Sequence, residues 1–297
     1  MCLRGGVEGV ALLIYADAHL HTNPVSGLGA QKIAREFSKR GGWFMAIVSL
    51  PPYHYGLSPT FEGHLKSFEL LLAECKAALN EGIRVSCLAG FHPAEVERLV
   101  KKGGMDLRRA VELGQRVIDH IAKLIDQGLI NGVGEVGRPH YKTEPEYVVA
   151  AQLIMDYALE VARERGAVVH LHLEEGGFVT VLDISRRISR LKLDPRKVVL
   201  HHSRPRNLVH AIEMKLTASV PGIQPIQKYV VDRKIPPRFV FESDYLDDPS
   251  RPGSVIYPWR MAEIEDEMLR SGLYSEEYLW RINVDNIVSI YGVEPPL

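Results

Sequence analysis

Short apolar runs rich in β-branched and aromatic residues alternate with longer amphipathic stretches along almost the whole chain. The runs are "ALLIYADAHL", "GWFMAIVSL", "RVSCLAGFHP", "INGVGEVG", "AVVHLHLE", "KVVLHH", "LTASVP" and "RFVFESD", eight strand candidates in all. Between them, stretches such as "GAQKIAREFSKRGG", "FEGHLKSFELLLAECKAALNEG", "MDLRRAVELGQRVIDHIAKLIDQG" and "EPEYVVAAQLIMDYALEVARERG" keep helical spacing and close on glycine. This rhythm predicts βα units around a parallel sheet. Eight such units in 297 residues suit a closed (β/α)8 TIM barrel better than an open doubly wound sheet. An open sheet usually carries a phosphate-binding glycine loop, and the chain has neither G-x-G-x-x-G after a strand nor a Walker loop. The stretch 257–297 reads as two extra C-terminal helices packed on the barrel's outside, so 1–297 is expected to form a single barrel domain.

Charge and cysteine content narrow the setting. With 36 Lys+Arg against 37 Asp+Glu, the chain has no global field for nucleic acid or membranes, so any anionic ligand must be held by a local patch. Cys2, Cys75 and Cys87 are few, odd in number and far apart, which speaks for single thiols in a reducing compartment. The N-terminal apolar run is too short for a signal segment, and no stretch reaches the roughly 18 apolar residues of a membrane span. A cytoplasmic protein with no membrane association is expected, and no protein partner is evident.

Candidate chemistry gathers at the strand ends, which form the active-site face of a parallel barrel. Run 1 ends in Asp17, His19 and His21, run 3 in His92 and run 4 in Glu135. Run 5 ends in His170 and His172, run 6 in His201 and His202, and run 8 in Asp244. Residues i and i+2 on a strand share a face, so His19 and His21 can reach one ion. A lone H-x-H reads more plainly as two histidines bonded to carbonyls. Ionisable groups at so many strand ends have no packing rationale, however, and together they point to a metal centre. Imidazoles and carboxylates without thiolates suit zinc, manganese, magnesium, nickel or cobalt. Glu135, flanked by glycines, is the natural bridge between two ions.

The ordered set "DAHLH", "GFHP", "GVGEVGRPHY", "VVHLH", "VLHH" and "FESD" resembles the TatD family of metal-dependent hydrolases. The resemblance runs from about Asp17 to Asp244. It implies an amidohydrolase-type (β/α)8 barrel with two divalent metal ions, acting on DNA or another phosphodiester through a metal-bridging hydroxide. Carried over by position, His19, His21 and Asp244 bind the first ion, Glu135 bridges, and His170 and His201 bind the second. Asp244 and Glu135 are then the catalytic carboxylates. His201 is chosen over His202 because adjacent strand residues face opposite sides. His92, His172, Arg138 and Arg204 fall on the substrate side, the arginines as phosphate partners. Two departures stand out: Pro139 replaces the family's Asp after the bridging Glu, and the last motif continues as "ESDYLDDP".

Three other readings compete. "DAHLHTNPVSG" also looks like the opening of the PHP-type phosphoesterases, but their late D-x-H is missing, since no histidine follows His210. An amidohydrolase acting on a lactone, amide or phosphotriester often carries a carboxylated Lys where this chain has Glu135. A non-catalytic scaffold in a nucleic-acid complex would be expected to have lost ligands, and the set here is complete.

Overall fold

The computed structural model describes residues 13–296, so Cys2 and the N-terminal run up to residue 12 lie outside the described residues. The first half of the chain forms β1 (Tyr15–His21), α1 (Ala30–Ser38), β2 (Gly42–Val48), α2 (Phe61–Asn80), β3 (Arg84–Ala89), α3 (Ala94–Lys101), α4 (Leu107–Asp126) and β4 (Gly132–Gly137). The second half continues with α5 (Pro145–Arg165), β5 (Val168–His172), α6 (Phe178–Leu191), β6 (Val198–Leu200), α7 (Pro205–Glu213), β7 (Thr217–Pro221), α8 (Gln224–Asp232) and β8 (Val240–Glu242). After a two-residue β9 (Tyr245–Leu246) come α9 (Pro258–Arg270), α10 (Glu276–Trp280) and α11 (Asn286–Tyr291). Start signals are visible where caps form: Thr60 accepts from Gly63 N–H at the head of α2, and Asp106 from Arg108 and Arg109 N–H at the head of α4.

The nine strands are parallel, and β1 to β8 pair in sequence order, with β9 on the free edge of β1. β8 and β9 are two pieces of one strand position, interrupted at Ser243–Asp244. There Asp244 N–H donates to His19 O at 3.0 Å and Ser243 N–H to Asp17 Oδ1 at 2.8 Å. These bonds, with the Leu20–Tyr245 and His21–Leu246 pairs, bring the end of the sheet back to its start. The result is the TIM-barrel-like α/β architecture expected from the βα rhythm.

Alternation along each strand divides the core. Met45 and Ile47 of β2 face the helices, whereas Phe44, Ala46 and Val48 join Ala16, Ala18, Leu88, Val168, Val199 and Val240 inside the barrel. The pairing slips between Asp17 and Leu20 on β1 and between Val133 and Val136 on β4. Each slip puts an extra residue into the stretch that carries a candidate ligand, His19 on β1 and Glu135 on β4, which re-aims the side chains there.

The C-terminal helices differ from the expectation in one respect. α9 lies outside, where Asp266 accepts from Tyr15 Oη at 3.2 Å and Glu263 pairs with Arg40 at 2.8 Å. α11 instead closes the N-terminal mouth, with Ile287, Ile290 and Tyr291 packed into the interior cluster. There they pack with Trp43 and Phe44 among the smaller alanines and valines of the interior.

The cysteine expectation is corrected as well. Cys75 on α2 and Cys87 on β3 form a disulfide, because the turn after α2 brings their Cα atoms to 6.1 Å. Among the described residues, no helix is long and apolar enough to cross a membrane.

Candidate metal centre

The C-terminal ends of the strands surround a cleft of about 300 Å³ whose wall includes His21, His92, Glu135, His172, His201 and Asp244. Glu135 stands at its centre, with its two oxygens facing different groups. Oε1 lies 2.9 Å from His21 Nε2 and 3.5 Å from His19 Nε2. Oε2 lies 2.6 Å from His172 Nδ1, 3.7 Å from His201 Nε2 and 3.8 Å from His92 Nε2. Close backbone approach makes this arrangement possible: a Cβ on Gly90 would meet Glu135 N at 2.5 Å, and one on Gly134 would meet His170 Cβ at 2.9 Å.

Hydrogen bonds from below determine which nitrogen each ring offers. His21 Nδ1–H donates to Val48 O at 3.0 Å, and His201 Nδ1–H to Glu242 Oε2 at 2.8 Å, so both present Nε2 to the cleft. A longer chain does the same for His19. Ala18 O can only accept, so it takes the Tyr291 hydroxyl proton at 3.0 Å, and Tyr291 Oη accepts His170 Nε2–H at 2.9 Å. His170 Nδ1 is then an acceptor for His19 Nδ1–H at 2.8 Å, which leaves the His19 Nε2 lone pair facing Glu135.

Electrostatics favour the neutral form of His19, His170 and His201. Burial lowers His19 to about 4 and holds His170 and His201 well below the usual imidazole range. Burial also opposes charge on His21 and Glu135, but the contact with Glu135 moves His21 up, and the contacts with His172, His19 and His201 hold Glu135 well down. Burial and then the Glu135 charge raise Asp244 to about 7.

The donor set fits divalent cations. His19, His21 and Glu135 hold three donor atoms within 4.8 Å of one another. Ligands about 2.0–2.1 Å from a tetrahedral ion stand roughly 3.3 Å apart, close to the 3.3 Å between His19 Nε2 and His21 Nε2. His172 Nε2 is buried with no hydrogen-bond partner, and so is Asp17 Oδ2. A buried carboxylate ringed by imidazole nitrogens offers the negative charge that a bound cation would neutralise.

The site as built differs from the sequence reading at several residues. His170 and His172 exchange places: both face the barrel interior, but His170 lies one pleat deeper, in contact with His19 and Tyr291, and His172 is the one that reaches Glu135. Two residues along a strand are about 6.6 Å, enough to separate a ligand from its support. Asp244 sits with its Oδ1 3.6 Å from His201 Nε2, on the His201 side of the cleft. Arg138 is not free for a phosphate, because its buried guanidinium is held by both oxygens of Glu174, at 2.8 and 2.9 Å, and by Asp183 at 2.5 Å. Arg204 is exposed on the rim, where its backbone N–H donates to Glu175. His92 takes Ala94 N–H on Nδ1, so its Nε2 carries a proton and faces Glu135 as a donor.

Sequence reasoning missed Glu242 and Tyr291, which touch the ligands from behind, and Arg251, which lines the cleft. Glu242 had a signal, since it lies two residues before Asp244 in "FESD" and so faces the same interior. Tyr291 had none, because nothing local links a C-terminal helix to strand 5.

A family model described as TatD related DNase matches residues 16–292. An uncharacterized protein of Methanocaldococcus jannaschii is 30% identical over 286 residues, covering 94% of this chain and 95% of its own length. Among solved structures, a triple mutant of an organophosphorus hydrolase from Deinococcus radiodurans superposes with a TM-score of 0.63 at 14% identity, over 94% of this chain and 93% of the other. A phosphotriesterase homology protein from Escherichia coli, complexed with phosphate in its active site, gives 0.62 at 13% identity, over 94% and 99%. At these identities the two structures share the fold.

Proposed function

The chain belongs to the TatD-related DNase family, and on that premise we propose that it is a divalent-cation-dependent hydrolase of phosphodiester bonds in DNA. The observation that carries the proposal is Glu135, whose two oxygens serve two separate sets of histidines. His19 and His21 would hold one cation, and His172 and His201 the other, with Glu135 shared. When bound, such a pair lowers the pKa of a water and stabilises charge developing on a phosphoryl oxygen.

The chain's own residues supply the rest. Asp244, anchored by its amide to His19 O, brings a carboxylate of pKa about 7 to the same space, where Oδ1 can take the proton of an attacking water near neutrality. His92 Nε2–H faces Glu135 from the cleft wall and can donate to a substrate oxygen. Tyr53, on the same wall beneath the Arg98 guanidinium at 4.0 Å, offers an aromatic face for a base or sugar.

A second reading has its own support. With Arg138 tied to carboxylates, Arg251 is the arginine left on the wall of the cleft, which is otherwise largely imidazole together with Leu50, Pro51, Leu246 and Val255. Such a wall suits a small uncharged ester, a lactone or a phosphotriester. Manganese- or magnesium-loaded protein assayed on single-stranded DNA, a bis-aryl phosphodiester and a lactone panel separates the two. Turnover of DNA is expected. Turnover of lactones with DNA untouched would replace the proposal with the second reading.

A further inference from the structure

Three imidazoles meet at the mouth of the barrel: His140 and His202, which lie outside the groups on Glu135, and His172, which belongs to both. Their donor nitrogens lie within 4.8 Å of one another, and their ring centroids are 4.5 to 5.2 Å apart. His202 Nε2 stands 3.3 Å from His172 Nδ1, the edge of a tetrahedral set of nitrogens about 2.0–2.1 Å from an ion. Alternation predicts that His202 turns away from His201, but both follow the end of β6, where alternation no longer applies. His202 has φ 42, a left-handed backbone uncommon for any residue but glycine, and its N–H is held by Glu242 Oε1 at 2.7 Å. That strained turn brings its ring into the same cleft as His201. On the other side, Arg138 anchors the loop after β4 to Glu174 and Asp183, which places His140 over His172.

We propose that His140, His172 and His202 form a third cation site, all imidazole, that takes a zinc-class ion. No carboxylate belongs to the trio, which favours zinc, nickel or cobalt over magnesium. His172 belongs to this trio and also contacts Glu135 through Nδ1. An ion held at the mouth draws His172 away from Glu135, so zinc in excess inhibits turnover. The inhibitory consequence rests on the proposed function, whereas the site itself does not.

The test is zinc titration of the full chain, stripped of metal, followed by calorimetry and X-ray absorption. In Glu135→Gln, where the shared bridge is lost, one zinc with a nitrogen shell is expected to remain. Adding His140→Ala or His202→Ala to that background should weaken it at least about ten-fold, roughly the loss of one ligand's share of affinity. Affinity unchanged by both substitutions would overturn the site. In the wild-type background, His140→Ala should move the onset of zinc inhibition to higher concentration, and an unmoved onset overturns the inhibitory role. Zinc binding to the trio in a chain that hydrolyses nothing would leave the site standing and remove the proposed function.

Discussion

At the bottom of the barrel, Asn283 accepts Ala16 N–H at 2.9 Å through Oδ1 and gives Nδ2–H to Glu265 at 2.6 Å, while its backbone oxygen takes the Trp43 indole N–H at 2.9 Å. Lys197 reaches Ile290 O at 2.7 Å, and Asn286 bonds Pro237 O and Phe239 O. At the top, a similar density of buried polar atoms is arranged otherwise. His19, His21 and His201 are each bonded on one nitrogen and turn the other to Glu135, and His172 keeps a buried nitrogen with no partner. The lower network uses most of its polarity to join the C-terminal helices to the barrel and leaves Glu265 Oε1 without a partner. The upper one holds lone pairs in reserve, which costs stability and leaves a place for cations. Burial is shared by the two ends, and what separates a structural network from a site is which donors and acceptors remain unmatched.

The strongest way to break this contrast is Glu135→Gln. It removes the charge that the upper histidines converge on and the bridge between the two groups. Loss of several kcal/mol of charge stabilisation corresponds to a fall in kcat of roughly 10³-fold or more. Metal content by elemental analysis should fall with it, at unchanged circular dichroism. Retained turnover would remove Glu135 from the centre.

Tyr291→Phe tests whether the two ends are connected. Without the hydroxyl, His170 Nε2–H loses its acceptor and the His19 tautomer is no longer enforced. A drop of about 10–100-fold in cation affinity is expected, the usual cost of losing a ligand's supporting bond. Tyr291→Leu would also lower stability by leaving space, but only the hydroxyl governs the tautomer. Equal cation affinity in Tyr291→Phe and wild type would show that the relay to His19 is idle.

The smallest effect is on the pH dependence of stability, where buried imidazoles and buried carboxyls act with opposite sign. Burial depresses His19 to about 4 and His202 to about 3, below the roughly 6.5 of an exposed imidazole. Their contribution is present above pH 6.5 and lost as pH falls through these lower values. At the bottom, burial raises Glu265 to about 8, so its contribution is complete below the usual carboxyl range and is lost as pH rises through 8. Melting of the metal-free chain should therefore weaken towards both pH 4 and pH 8. Glu265→Gln should flatten only the alkaline side, by about 2–4 °C per kcal/mol removed. An alkaline limb unchanged by Glu265→Gln would reassign that loss to another group.

The order of apolar and amphipathic segments determined the barrel, because periods of 2 and 3.6 residues are local properties of the chain. The strand-end histidines and Glu135 were also legible, since ionisable residues in apolar runs lack a packing reason. Depth was not. Sequence spacing gives His170 and His172 the same face, and only the tertiary structure decides that one is a support beneath His19 while the other reaches Glu135. The same holds for Arg138, whose partners Glu174 and Asp183 come from β5's exit and α6, and for Cys75 and Cys87, joined by the packing of α2 on β3. Tyr291 marks the limit most clearly. Its hydroxyl is 121 residues from His170 in sequence and 2.9 Å away in space, a contact that the packing of α11 into the barrel's N-terminal mouth creates and no local pattern encodes.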